Sequence, residues 1–129
     1  MKGQPDAGWS DEELVADIKH WAEEWAKCGL DMDSANKINE ERLVPDSRLL
    51  TARGSSALGK LIPLLEDENR GVRLAAAAFA FNVAPDACRP VLRKLMKKCD
   101  VIGLWAWAAW AEREPDTAPP PQVLLQPTA

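Results

Sequence analysis

The chain has 129 residues, with 16 basic and 20 acidic side chains and a formal net charge of −4, enough for one domain with a modest core. An acidic total argues against a general nucleic-acid binder, and no apolar run approaches the roughly 18 residues needed to cross a bilayer. The opening MKGQPDAGWSDEEL lacks the apolar stretch of a signal peptide, so a cytoplasmic location is expected. Charge is unevenly spread: residues 1–46 carry 5 basic and 12 acidic side chains, 47–98 carry 10 and 4, and 99–129 carry 1 and 4. The basic middle keeps nucleic acid open as an alternative partner. Cys28, Cys88 and Cys99 include no CxxC pair and no zinc spacing, and read as reduced, buried thiols.

Ser10 and Glu13 have the spacing of a capping box. Leu14, Ile18, Trp21, Trp25 and Cys28 then recur every three or four residues, which predicts a helix over 11–28 with Gly29 as its stop. Asp33 or Ser34 can cap a second helix that turns Ile38, Leu43, Leu49 and Leu50 inward. Pro45 must kink it or split it, and Gly54 ends it. Ser55 or Ser56 can cap a third helix carrying Leu58, Leu61, Ile62, Leu64 and Leu65 to about Glu66. Further helices follow over about 70–83, 86–98 and 100–113, and no segment alternates as a strand would.

The run LAAAAFAF (74–81) is apolar nearly all round, so that helix is expected at the centre, its alanines letting neighbours approach closely. Asp67 and Arg73 bracket the preceding turn, where the carboxylate can hold turn amides or pair with the arginine. After Pro115 the composition shifts to DTAPPPQVLLQPTA, which reads as an extended or disordered tail, with Val123, Leu124 and Leu125 available to dock.

The stretch LIPLLEDENRGVRLAAAAFAFNVAP (61–85) resembles a HEAT repeat, two antiparallel helices flanking a turn with Asp-x5-Arg, a valine before the arginine and alanines after it. More loosely, 34–113 resembles a small bacterial HEAT-like family of unknown function, through SANKINEERL, ARGSSALGKLIPLL and VRLAAAA. The resemblance implies an all-α fold: a short right-handed superhelix of about three antiparallel hairpins, about six helices in all, with a face for binding macromolecules. The single domain then spans 1–114, with the helix at 11–28 as an N-terminal addition and 115–129 as the tail.

Three surfaces are candidates. On the first helix Glu13, Asp17, His20 and Glu24 form one column, either a solvated face or an acidic dock for a basic protein. With one histidine in the chain, the carboxylate–histidine spacing is a poor metal set, and no metal or cofactor is expected. In the last helix Trp105 and Trp107 fall on opposite flanks and Leu104 points away. The tail can cover that side, or one tryptophan can anchor a partner or a second copy. In 86–98, Arg89, Arg93 and Lys97, with Lys94 and Lys98 beside them, are either solvated charge or a phosphate-tracking row. A nucleophile with an adjacent base, a phosphate loop and paired buried carboxylates are all missing from the pattern, so catalysis is not expected. The sequence points first to a non-catalytic protein-binding module, for instance a bacterial immunity or antidote-type protein covering a basic partner. Nucleic-acid binding through 86–98 and a homo-oligomer built on the tryptophans of the helix over 100–113 are the alternatives.

Overall fold

Side-chain caps set the starts of four of the six helices in the computed structural model, which describes residues 4–119. Helix α1, Asp11–Lys27, starts on the expected box: the Ser10 hydroxyl accepts from the Glu13 amide (3.1 Å) and the Glu13 carboxylate accepts from the Ser10 amide (2.9 Å). Its fully buried stripe is Leu14, Ile18 and Ala22, so Trp21 and Trp25 lie half-buried on its flanks instead of at its centre.

Helix α2 is three joined segments, Met32–Ile38, Asn39–Leu43 and Val44–Arg53. Asp31 is its cap, in place of the expected Asp33 or Ser34, because its carboxylate reaches both the amide (3.2 Å) and the hydroxyl (2.7 Å) of Ser34. The middle segment is one wide turn in which the Val44 amide bonds the Asn39 carbonyl, five residues back. Pro45 follows at once. It has no amide to give and its ring crowds the preceding turn, and the wide turn relieves both problems. Backbone angles stay right-handed helical across both joins, so the helix runs through Pro45 without being split by it. Gly54, at φ 104°, ψ −177°, ends α2 in a conformation that side chains rarely adopt.

Helix α3 begins as Ser55–Leu58 and tightens to a 3₁₀ helix over Gly59–Glu66 around Pro63. Neither Ser55 nor Ser56 caps it; Gly54 occupies that position with no side-chain bond. Tighter winding rotates Ile62 out to 40 % exposure while Leu58, Leu61 and Leu65 stay buried. Helices α4 (Arg70–Ala80), α5 (Pro85–Met96) and α6 (Val101–Arg113) follow. Asn69 caps α4 and Asp100 caps α6, each through an oxygen accepting a backbone amide.

The fold is all-α, with no strand among the described residues. Helix α4 is the hub, packing on α1, α3, α5 and α6. Ala76, Ala77 and Ala80 are completely buried, so the alanine run serves close approach as expected. Gly71 marks the tightest point: a Cβ there would lie 2.7 Å from the Ala22 carbonyl oxygen of α1. Of the thiols, Cys88 is buried and burial pushes it up to about 11, but Cys99 is exposed, against expectation, because it falls in the turn after α5.

Candidate functional site

Two places around α1 depart from the usual sorting of polar and apolar groups. The first is a buried cluster. The bend of α2 brings Arg42 and Asp46 to the flank of α1, where an Arg42 Nη donates to Asp17 Oδ1 at 2.9 Å and the guanidinium lies 5.0 Å over the Trp21 ring. Asp46 is fully buried, and both its oxygens and Asp17 Oδ2 are buried with no donor to satisfy them. A proton resolves this. Burial, with the Asp17 carboxylate beside it, pushes the Asp46 carboxyl up to about 9, Arg42 opposing. At neutral pH Asp46 is therefore a neutral acid donating to Asp17. Paired carboxylates, Asp46 fully buried and Asp17 nearly so, are thus present where the sequence pattern offered none.

The second is an open hollow of about 330 Å³ between α2 and α6, floored by α4. Leu74, Ala75, Ala78 and Phe79 form the floor, Asn36 and Asn39 one wall, and Trp105 and Glu112 the other, with Trp25 of α1 closing one end. The small side chains of Ala75 and Ala78 give the trough its depth, a second use of the alanine run. Trp25 and Trp105 meet edge to face, centroids 6.4 Å apart, and Trp25 also borders a neighbouring hollow of about 300 Å³ with Leu30 and Ile102. Among the residues lining the two hollows Leu30 is 85 % and Trp105 39 % exposed.

The other expected site residues are mostly engaged. Glu13 is held in the α1 cap and Glu24 pairs with Lys27 at 3.1 Å. Asp17 faces inward on Arg42, and His20 is exposed, edge-on to Trp21. The acidic column is thus not a row of free carboxylates. Trp107 packs half-buried against the core. On α5, Arg89 is clamped by both Glu114 oxygens (3.0 and 2.6 Å) and by Asp86, holding Glu114 below the usual carboxylate range. Arg93 lies 5.2 Å over Trp110, and Lys94, Lys97 and Lys98 are exposed, with Lys98 close enough to help Arg70 hold Asp100 ionised. In the turn, Asp67 accepts from the Asn69 amide (2.9 Å) and pairs with Lys19 (3.3 Å), whereas Arg73 Nε is buried without a partner. The docking segment Val123–Leu125 lies outside the described residues. Of the tail, Thr117 and Ala118 are placed: the Thr117 hydroxyl accepts from Trp110 Nε1 at 3.0 Å and Ala118 packs on the core.

Among the described residues no helix is long and apolar enough to cross a membrane, and no group of three or more His, Cys, Asp or Glu is placed to hold a metal ion. No protein-family model, curated protein or solved structure matches the chain.

Proposed function

We propose that this chain is a non-catalytic, protein-binding module of HEAT-like design, and that its binding face is the trough between α2 and α6. The observation that carries this reading is the Trp25–Trp105 pair, half in solvent at the edge of an open, apolar-floored hollow. Exposed tryptophan beside a concave apolar floor is the usual composition of an interface hot spot. Helices α3 and α4, folded back on one another across the turn at 67–69, support the HEAT-like reading. An antidote or immunity role in the cytoplasm fits a small acidic chain that covers a partner. The acidic residues of α1 contribute less to this than the trough, because Glu13, Asp17 and Glu24 already have partners of their own. Nucleic-acid binding through α5 is disfavoured by the clamp on Arg89, and nothing favours a homo-oligomer through Trp107, which packs inward.

The test is displacement of an apolar fluorescent probe, anilinonaphthalene sulfonate, from the full chain. Binding that falls at least about tenfold in Trp105→Ala and is unchanged in Glu24→Lys places the sticky surface at the trough. Equal binding by wild type and Trp105→Ala removes the proposal.

A further inference from the structure

We infer that residues 120–129 of this chain cross the open side of α6 and close over Trp105, so that the tail competes with a partner for the trough. The inference rests on the trough being the binding face and adds how that face is regulated. The helix itself is built to be covered. Of the thirteen residues of α6 only Glu112 and Arg113, at its end, are charged. Ala106, Ala109 and Trp110 turn into the core, yet the other side is apolar too. There Leu104 is 48 % exposed and Trp105 is exposed as well, with Ala108 and Ala111 half-buried between and beside them. A helix apolar on both sides calls for packing on both.

The chain leaves α6 in the right place to supply the cover. The Thr117 hydroxyl accepts from Trp110 Nε1 and donates to Glu114 Oε1 at 2.7 Å. Ala118 and Pro119 are half-buried, so the tail sets out against the body, beside Trp110. Around the open side Leu104 lies about 120° from Trp110 and Trp105 about 220°, which on a helix about 11 Å across makes paths of about 15 and 22 Å with the axial rise included. Pro119, Pro120 and Pro121 favour an extended chain. At about 3.1 Å per residue it puts Val123, Leu124 and Leu125 about 12, 16 and 19 Å beyond Pro119, and their side chains make up the remainder.

Charge and hydrogen bonding match as well. Residues 118–129 carry no charged side chain, and the one acid and one base lining the trough, Glu112 and Arg113, lie 3.8 Å apart and pair with each other. A neutral segment therefore strands no charge when it docks. An extended proline-rich chain has no internal hydrogen bonds, and the amides of Asn36 and Asn39 on the opposite wall can bond its backbone. Proline-rich segments also settle against aromatic rings, which the Trp25–Trp105 pair provides. Only three large apolar side chains hold this cover down, so a partner with more of them displaces it.

The experiment is titration with anilinonaphthalene sulfonate of the full chain carrying Leu124→Asp together with Leu125→Asp. This variant should bind the probe about fivefold or more tightly than wild type, because a larger fraction of the site stands open, and adding Trp105→Ala should abolish the gain. A cross-link reads proximity directly. Leu104→Cys with Leu124→Cys, in a Cys99→Ser background, should join in an intramolecular disulfide on mild oxidation. Ile62→Cys, exposed on α3, with Leu124→Cys should not. Probe binding that depends on Trp105 but ignores the tail variant keeps the trough as the binding face and overturns the inference, cross-link or not. A gain that survives Trp105→Ala places the tail elsewhere and overturns it too. Sedimentation showing a dimer that Trp105→Ala dissolves makes the cover a second copy and likewise overturns it. Probe binding unmoved by Trp105→Ala, with the tail intact and with it altered, overturns both the inference and the reading it rests on.

Discussion

The flank of α1 at Asp17 and its far end at Trp25 break the same rule in opposite directions. At Asp17, charge is taken out of water; at Trp25 and Trp105, apolar surface is left in it. The costs are met differently. The buried side is met in part from within, by Arg42 on Asp17 and by the raised Asp46 carboxyl, though Arg42 Nε stays buried without an acceptor. Among the described residues nothing covers the exposed side of Trp105, which keeps 39 % of its surface in solvent. A buried irregularity of this kind serves the fold, whereas an exposed one is available to a partner.

The sharpest way to break this contrast is to remove the cation. Arg42 and Asp17 keep only 15 % and 12 % of their side chains exposed. Arg42→Ala would leave Asp17 sealed without its partner and should cost about 3 kcal/mol in urea unfolding, with the helix content of the folded state unchanged. A loss below about 1 kcal/mol would be that of a surface ion pair, and would mean that water reaches the cluster.

Next in size, and opposite in sign, is Asp46→Asn. The Asp46 carboxyl is pushed up from the usual 3.8 to about 9 in the folded chain. A raised folded value means that the native state holds a proton the unfolded state has lost. The stability from this group is complete below about pH 4 and drains away as the pH rises towards 9. At pH 7 the difference amounts to about 4 kcal/mol at most. Asparagine supplies a donor to Asp17 without needing the proton, so Asp46→Asn should stabilise the chain by about 2 kcal/mol or more at pH 7, fading towards zero at pH 4. Thermal melts at the two pH values check it. Destabilisation at pH 7 would show that Asp46 is ionised and bonded to Arg42.

These two residues also mark where the sequence stops being readable. Helix ends were legible wherever a local pair defines them, as Ser10 with Glu13 does, and the alanine run announced α4 as the hub because no solvated face interrupts it. Asp46 was not legible. It stands beside Pro45 like an ordinary turn acid, and only the wide turn over Asn39–Leu43 swings it under α1. That extra residue per turn also shifts the phase of everything after it, which is why Leu50 is buried while Leu49 is only half so. The same failure of a fixed period placed Ile62 inside, when 3₁₀ winding carries it out. Of the trough, Trp105 was singled out from its place on one flank of the last helix, with Trp107 on the other. Trp25 was legible only as a member of the apolar face of α1; that it is half-buried at the trough depends on its edge contact with Trp105, a tertiary fact.

A smaller effect tests whether α4 is placed as rigidly as the contrast assumes. Gly71 floors the trough and faces Ala22 and Ala26 of α1. By helix propensity alone, Gly71→Ala should stabilise α4 by about 1 kcal/mol. The added Cβ would meet backbone at 2.7 Å, however, and a carbonyl in the middle of a helix cannot step aside. The expected outcome is a net loss of about 1–2 kcal/mol in chemical unfolding. A net gain would mean that α1 and α4 slide apart easily, and that the trough floor is adaptable.

The smallest stability effect should come from the residue that matters most for binding. Trp110 is 1 % exposed, and truncating it would empty the core; Trp105 is 39 % exposed and gives the fold chiefly its edge contact with Trp25. Trp105→Ala should therefore cost about 1 kcal/mol or less, against roughly 3–5 kcal/mol for Trp110→Ala. Unfolding midpoints of the two variants, measured side by side, decide the matter. A core-sized loss at Trp105 would make the trough a packing defect shored up by its tryptophans. A near-neutral one leaves Trp105 with a large apolar surface that the fold does not need, which is the condition under which a side chain is free to be spent on a partner.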